Sequence, residues 1–147
     1  MAERKTWILL CDASRARLFT TNGHGGLTEL TAFAHPGSRA HVQDMVSDRP
    51  GRRSDTTPGH RSGLSPELEP KEVEALKFAC GLASELKRGL NRHAYDELVL
   101  AAPPHFLGMM RQCLDGQVAS RLATTFDKDF TTLPVREIEQ RIYAFRR

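Results

Sequence analysis

The chain has 147 residues, 39% of them hydrophobic and 27% charged, with a formal net charge of +3. That size and balance suit one globular domain with its own core, and exclude collagenous, disulfide-dense and wholly disordered chains. The apolar run Trp7–Cys11 is too short for a signal peptide and no longer run follows, so the expectation is a cytoplasmic protein without a membrane span.

Thr6–Cys11 is apolar throughout and predicts a strand, turned by Asp12-Ala13-Ser14 into a second strand over Arg15–Thr20. Asn22-Gly23-His24-Gly25-Gly26 is a hairpin turn rich in residues that tolerate positive φ. Leu27–Ala34 follows, alternating Leu30, Ala32 and Ala34 with polar neighbours, and completes an antiparallel meander.

From Pro36 to Ser65 the pattern changes. Arg39, Arg49, Arg52, Arg53 and Arg61 face Asp44, Asp48 and Asp55, with His41 and His60 between them and almost no large apolar side chain. Gly51, Gly59 and Gly63 beside Pro50 and Pro58 stop a helix or strand from running through. Such a segment has too little apolar area to offset the entropy of ordering it, which predicts mobility in the free protein. Guanidinium groups on a glycine-rich backbone suit phosphate, because forks and amides reach the same oxygens.

Beyond it, Pro70 opens a long amphipathic helix with Val73, Leu76, Ala79, Cys80, Ala83, Leu86 and Leu90 at three- and four-residue spacing. Asp96–Ala102 holds an unbroken apolar run, the mark of a central strand buried on both faces. His105–Leu114 carries Phe106, Leu107, Met110 and Leu114 on a helical stripe. Arg121–Asp127 reads as another strand, and Pro134–Phe145 as a last helix through Val135, Ile138 and Ile142. The order β-β-β-loop-α-β-α-β-α specifies a single α/β domain with a mixed sheet, an antiparallel meander plus parallel strands, covered by helices.

Cys11, Cys80 and Cys113 are odd in number and lack C-x-x-C spacing, so they are expected to be free thiols filling the core. The six histidines show no zinc-ligand spacing, and nothing in the chain asks for a metal or cofactor. Asp12 suits a tight turn or an acid–base role. His105, after Pro103-Pro104, stands where open α/β sheets bind ligands, or simply begins a helix. Asp127-Lys128-Asp129 is an acidic site or a solvated turn.

Four blocks carry a family resemblance: Trp7–Phe19 (W-I-L-L-C-D-A-S-R-A-R-L-F), Ser47–Arg52 (S-D-R-P-G-R), Leu98–Gly108 (L-V-L-A-A-P-P-H-F-L-G) and Asp127–Thr131 (D-K-D-F-T). With them the chain resembles, over nearly its whole length, the bacterial proteins required for attachment to host cells. That group is similar to the middle domain of the archaeo-eukaryotic class-one release factors, which implies an RNase H-like, release-factor-middle-domain-like fold. In that domain a loop reading K-H-R-A-G-G-Q-S precedes a long helix; here Gly59-His60-Arg61-Ser62-Gly63-Leu64-Ser65 holds that place. His60, Arg61 and Gly63 match. Leu64 replaces the second glycine and Ser65 the glutamine, which argues against ester hydrolysis at the tip.

Two functions follow. The resemblance implies a binding module for the ribosome or tRNA, acting in translation rescue, quality control or dormancy. Its phosphate contacts would come from Arg15, Arg49, Arg52, Arg53, His60, Arg61 and Gly63. The alternative is a hydrolase of peptidyl-tRNA or another phosphoester, with Asp12, His60 or His105 as acid or base. A regulator of attachment working through a protein partner is a third possibility. The residues say nothing of oligomeric state.

Overall fold

A computed structural model describes residues 4–21, 26–35 and 70–146. The hairpin turn at 22–25 and the Arg/Gly segment, with Arg49, Arg52, Arg53, His60, Arg61, Gly63, Leu64 and Ser65, lie outside the described residues. Five strands form one sheet in the order β3-β2-β1-β4-β5. They are β1 (Thr6–Cys11), β2 (Arg15–Thr21), β3 (Leu27–Ala34), β4 (Glu97–Ala101) and β5 (Leu122–Phe126). β1–β3 pair antiparallel as a meander, whereas β4 runs parallel to β1 and β5 parallel to β4. The sheet is mixed, as the element order predicts.

Strands β1 and β4 sit in the middle and are buried at every residue. Their side chains alternate between two cores. Trp7, Leu9, Leu98 and Leu100 meet α1 (Pro70–Asn91), α2 (Pro104–Cys113) and the short α3 (Gly116–Ala119) on one face. Ile8, Leu10, Val99 and Ala101 meet Ile138 and Ile142 of α4 (Val135–Arg146) on the other. Helices therefore cover both faces in three layers.

Three expectations need correction. The strand β3 forms where predicted, but Leu30, Ala32 and Ala34 face solvent, and Leu30 is 46% exposed. β3 is an edge strand, and the pairing shifts at Leu18/Phe19: Leu18 opposes Thr31 and Phe19 opposes Glu29, so Leu30 has no partner across the ladder. That bulge and the edge position override the alternation, and Phe33 packs on the α1–α2 core instead. In α1 the buried stripe runs through Phe78, Ala79, Leu82, Ala83, Leu86 and Leu90, while Cys80 is exposed.

Cys80 and Cys113 are not free thiols in the core. They form a disulfide joining the middle of α1 to the end of α2, with Cα atoms 5.1 Å apart. The two helices lie side by side over one face, which brings together cysteines 33 residues apart in sequence. Closing a loop of that length stabilises a fold by about 3–4 kcal/mol on the chain-entropy account. Cys11 alone behaves as expected: it is buried and free, with Sγ 3.7 Å from the Ala101 carbonyl oxygen.

Among the described residues no helix is long and apolar enough to cross a membrane.

Candidate functional site

The carboxyl ends of β1, β4 and β5 lie along one edge of the sheet, where β2 begins and β3 ends. Asp12 follows β1 there and closes an Asx turn: Oδ1 accepts from the N–H of Ser14 at 2.8 Å and of Arg15 at 2.9 Å. Oδ2 stands 3.5 Å from Arg15 Nε and 3.4 Å from Thr131 Oγ1. The Thr131 hydroxyl donates to Asp129 Oδ1 at 2.6 Å, and its backbone N–H donates to the same oxygen at 2.9 Å. The turn after β1 and the turn after β5 thus share one polar cluster.

Its electrostatics are set by these bonds. Partial desolvation raises the Asp129 carboxyl, but the Thr131 hydroxyl and N–H, with the Arg15 guanidinium, outweigh it, holding Asp129 below its usual value. Next to it, burial pushes the Cys11 thiol well up, with Asp12 and Asp129 adding to the effect, so Cys11 stays protonated and unreactive.

Arg17 braces the edge from β2. Nε and Nη2 donate to the two carboxylate oxygens of Glu29, each at 3.1 Å, and Nη1 donates to the carbonyls of Thr131 at 3.2 Å and Leu133 at 3.1 Å. Its guanidinium carbon lies 5.0 Å from the centre of the Phe19 ring.

Both flanks of the Arg/Gly segment attach here. On the outgoing side the His35 N–H donates to the Ser14 carbonyl at 2.9 Å. The His35 ring stacks on Phe78 at 5.1 Å between centres, with Nε2 3.5 Å from Glu74 Oε1. On the returning side, Glu72 in the first turn of α1 meets His105 at the start of α2, Oε2 to Nε2 at 3.2 Å. Between the end of β3 and α1 runs a groove of about 730 Å³, lined by Phe33, His35, Glu74, Lys77 and Phe78.

Of the residues singled out for chemistry, the described structure holds Asp12, Arg15 and His105. All three stand at this edge, but with different partners: Asp12 closes its turn, Arg15 neutralises Asp12, and the exposed His105 pairs with Glu72. Asp129 belongs to the stretch that reads as an acidic site or a solvated turn, and Thr131 carries no such reading; the D-x-T spacing of an Asx turn marks the pair, whereas their contact with Asp12 needs the fold. Among the described residues no group of three or more His, Cys, Asp or Glu is placed to hold a metal. The surface carries both signs, with Arg15 and Lys77 against Glu72, Glu74 and Asp129, so it is not by itself a basic patch.

The family model for "Protein required for attachment to host cells" matches residues 7–142. No curated protein matches the sequence. Among solved structures, the crystal structure of an archaeal translation termination factor is similar at a TM-score of 0.49 and 11% identity, over 97% of this chain and 39% of that one. The chain therefore spans well under half the length of that factor.

Proposed function

The chain belongs to the family of proteins required for attachment to host cells, and from that premise we propose that it is an RNA-binding module. It docks on the phosphate backbone of tRNA or the ribosome, in the cytoplasm, in translation rescue, quality control or dormancy. Arg49, Arg52, Arg53, His60 and Arg61 supply the contacts, the Gly63 backbone approaches closely, and Arg15 stands at the base.

One observation supports this above others. The arginine-bearing segment leaves from His35, tied to the Asp12 turn, and returns at Pro70, one turn before the groove residue Glu74. Both flanks of the segment therefore attach at the one edge where Arg15 stands. Because the described edge carries more carboxylates than cations, the arginines of the segment carry the phosphate recognition. An attachment phenotype then follows indirectly, through the synthesis of surface components.

Salt dependence tests the proposal. Three or four arginine–phosphate contacts on single-stranded RNA imply a log–log slope of binding against salt of about −2 to −3. Arg49→Ala, Arg52→Ala and Arg53→Ala together should flatten that slope and weaken all sequences alike. Ribosomal RNA or tRNA should be recovered with the protein from lysate and lost on ribonuclease treatment. No RNA recovery, or binding indifferent to salt, removes the proposal. Peptide release at factor-like rates by the unmodified chain would replace it with the hydrolase reading.

A further inference from the structure

We infer that Cys80 and Cys113 form a thiol–disulfide exchange site, at which glutathione-class thiols and disulfides open and close the link between α1 and α2.

Access is the first argument. Cys80 is exposed on the outer side of α1 and Cys113 is half-buried at the end of α2, so a small thiol can approach the Cys80 sulfur. A brace sealed in a core offers no such approach. The third cysteine cannot compete: Cys11 is fully buried against the Ala101 carbonyl. The reaction is confined to two sulfurs.

The second argument is that opening the link leaves the fold in place. α1 and α2 remain joined through the rings of Phe78 and Phe106, 6.2 Å apart, and through Glu72 and His105 at the sheet edge. Just beyond Cys113, Lys87 of α1 still holds Asp115 and Gln117 at 3.0 and 2.9 Å. What the disulfide adds is a covalent lock at the far end of α2, between two states that share one core.

The chemistry balances without another reactant. On closing, the Cys80 thiolate attacks a sulfur of oxidised glutathione and displaces one glutathione thiolate. The Cys113 thiolate then attacks the Cys80 sulfur of the mixed disulfide and displaces the second. Two protein thiols are oxidised, one glutathione disulfide is reduced to two thiols, and the protons pass from the cysteines to the two glutathiones. Reduced glutathione drives the reverse.

The native protein, equilibrated across mixtures of reduced and oxidised glutathione, trapped with a maleimide and weighed intact, tests this. Two labels are expected at the reduced end and none at the oxidised end, with a third, on Cys11, only after denaturation. Cys113→Ser should hold one glutathione at Cys80 after exposure to oxidised glutathione. A protein that stays unlabelled in reduced glutathione contains a permanent brace. One that stays doubly labelled in oxidised glutathione contains two independent thiols. Either result overturns the inference, as does Cys113→Ser without an adduct.

Discussion

Gly89 of α1 and Trp7 of β1 occupy the same space in turn: a methyl built on Gly89 would overlap Trp7 Cη2 and stand 2.5 Å from Cζ3. The indole lies close against α1 at Gly89 and is stacked on Tyr95, with ring centres 4.6 Å apart. Tyr95 is itself pinned by a hydroxyl donation to the Leu86 carbonyl at 2.7 Å, and burial pushes its pKa up to about 12 against the pull of Arg121.

The same substitution at two glycines of α1 should therefore have opposite signs. Gly89→Ala forces the indole or the helix to move and should cost about 1–3 kcal/mol, the usual range for overpacking. At Gly81 an added methyl meets nothing within 4 Å. There Gly81→Ala should stabilise by up to about 1 kcal/mol, the helix-propensity difference. Urea unfolding of both variants measures this, and equal effects would contradict the packing described.

Arg17 should matter more to stability than Arg15, although the two lie two residues apart on one face of β2. Arg17→Ala removes a two-pronged pair with Glu29 and leaves two loop carbonyls short of a donor, a loss of about 2 kcal/mol. Arg15 is half-exposed and meets Asp12 at 3.5 Å, so Arg15→Ala should cost under about 1 kcal/mol. Arg17→Lys keeps the charge but not the fork, and should fall near alanine. Thermal denaturation ranks the three, and an Arg15→Ala protein as unstable as Arg17→Ala would refute the ranking.

Acid should weaken the fold partly through Asp129. Its carboxyl is held low in the folded chain, so its contribution is complete above the unfolded value near 3.9 and is lost as pH falls through the lower folded value. Thr131→Val removes the hydroxyl donor while keeping the shape. The variant should be less stable than the parent at neutral pH, with the gap narrowing below about pH 4. Carbon NMR titration of Asp129 should move up towards the ordinary carboxylate value in Thr131→Val. An unchanged titration would show that Thr131 does not set it.

The strands and long helices were legible because each carries a strong period or an unbroken apolar run. Leu98–Ala102 announced a buried central strand, and Ile138 with Ile142 announced the face of the last helix. Edge effects were not legible. Leu30 looks inward by alternation and faces solvent because one bulged residue resets the register of β3. The four-residue α3 is too short to show a period and is marked only by Asp115, whose carboxylate accepts from the Gln117 N–H at 2.8 Å. The Cys80–Cys113 pair carries no spacing signal at all, since it depends on two helices lying side by side. At the sheet edge, Asp12, Arg15 and His105 could be picked out singly, but the shared Asp12–Thr131–Asp129 cluster joins residues 119 positions apart.

The parallel pairing of β1 with β4 sets a timetable for synthesis. β1 finds its first neighbour, β2, within a few residues, but its second flank closes only when β4 arrives; Cys11 and the Ala101 carbonyl it touches are 90 residues apart. At roughly 5–20 residues per second, that delay on a translating ribosome is about 5–18 s. Throughout it the Trp7–Cys11 segment presents an unpaired, wholly apolar strand edge to other nascent chains. The meander can form locally during this interval, whereas the parallel pairing of β1 with β4 has to wait for its end. A chaperone that shields Trp7–Cys11 before residues 97–101 emerge would raise the yield of folded protein, and one that acts later would not.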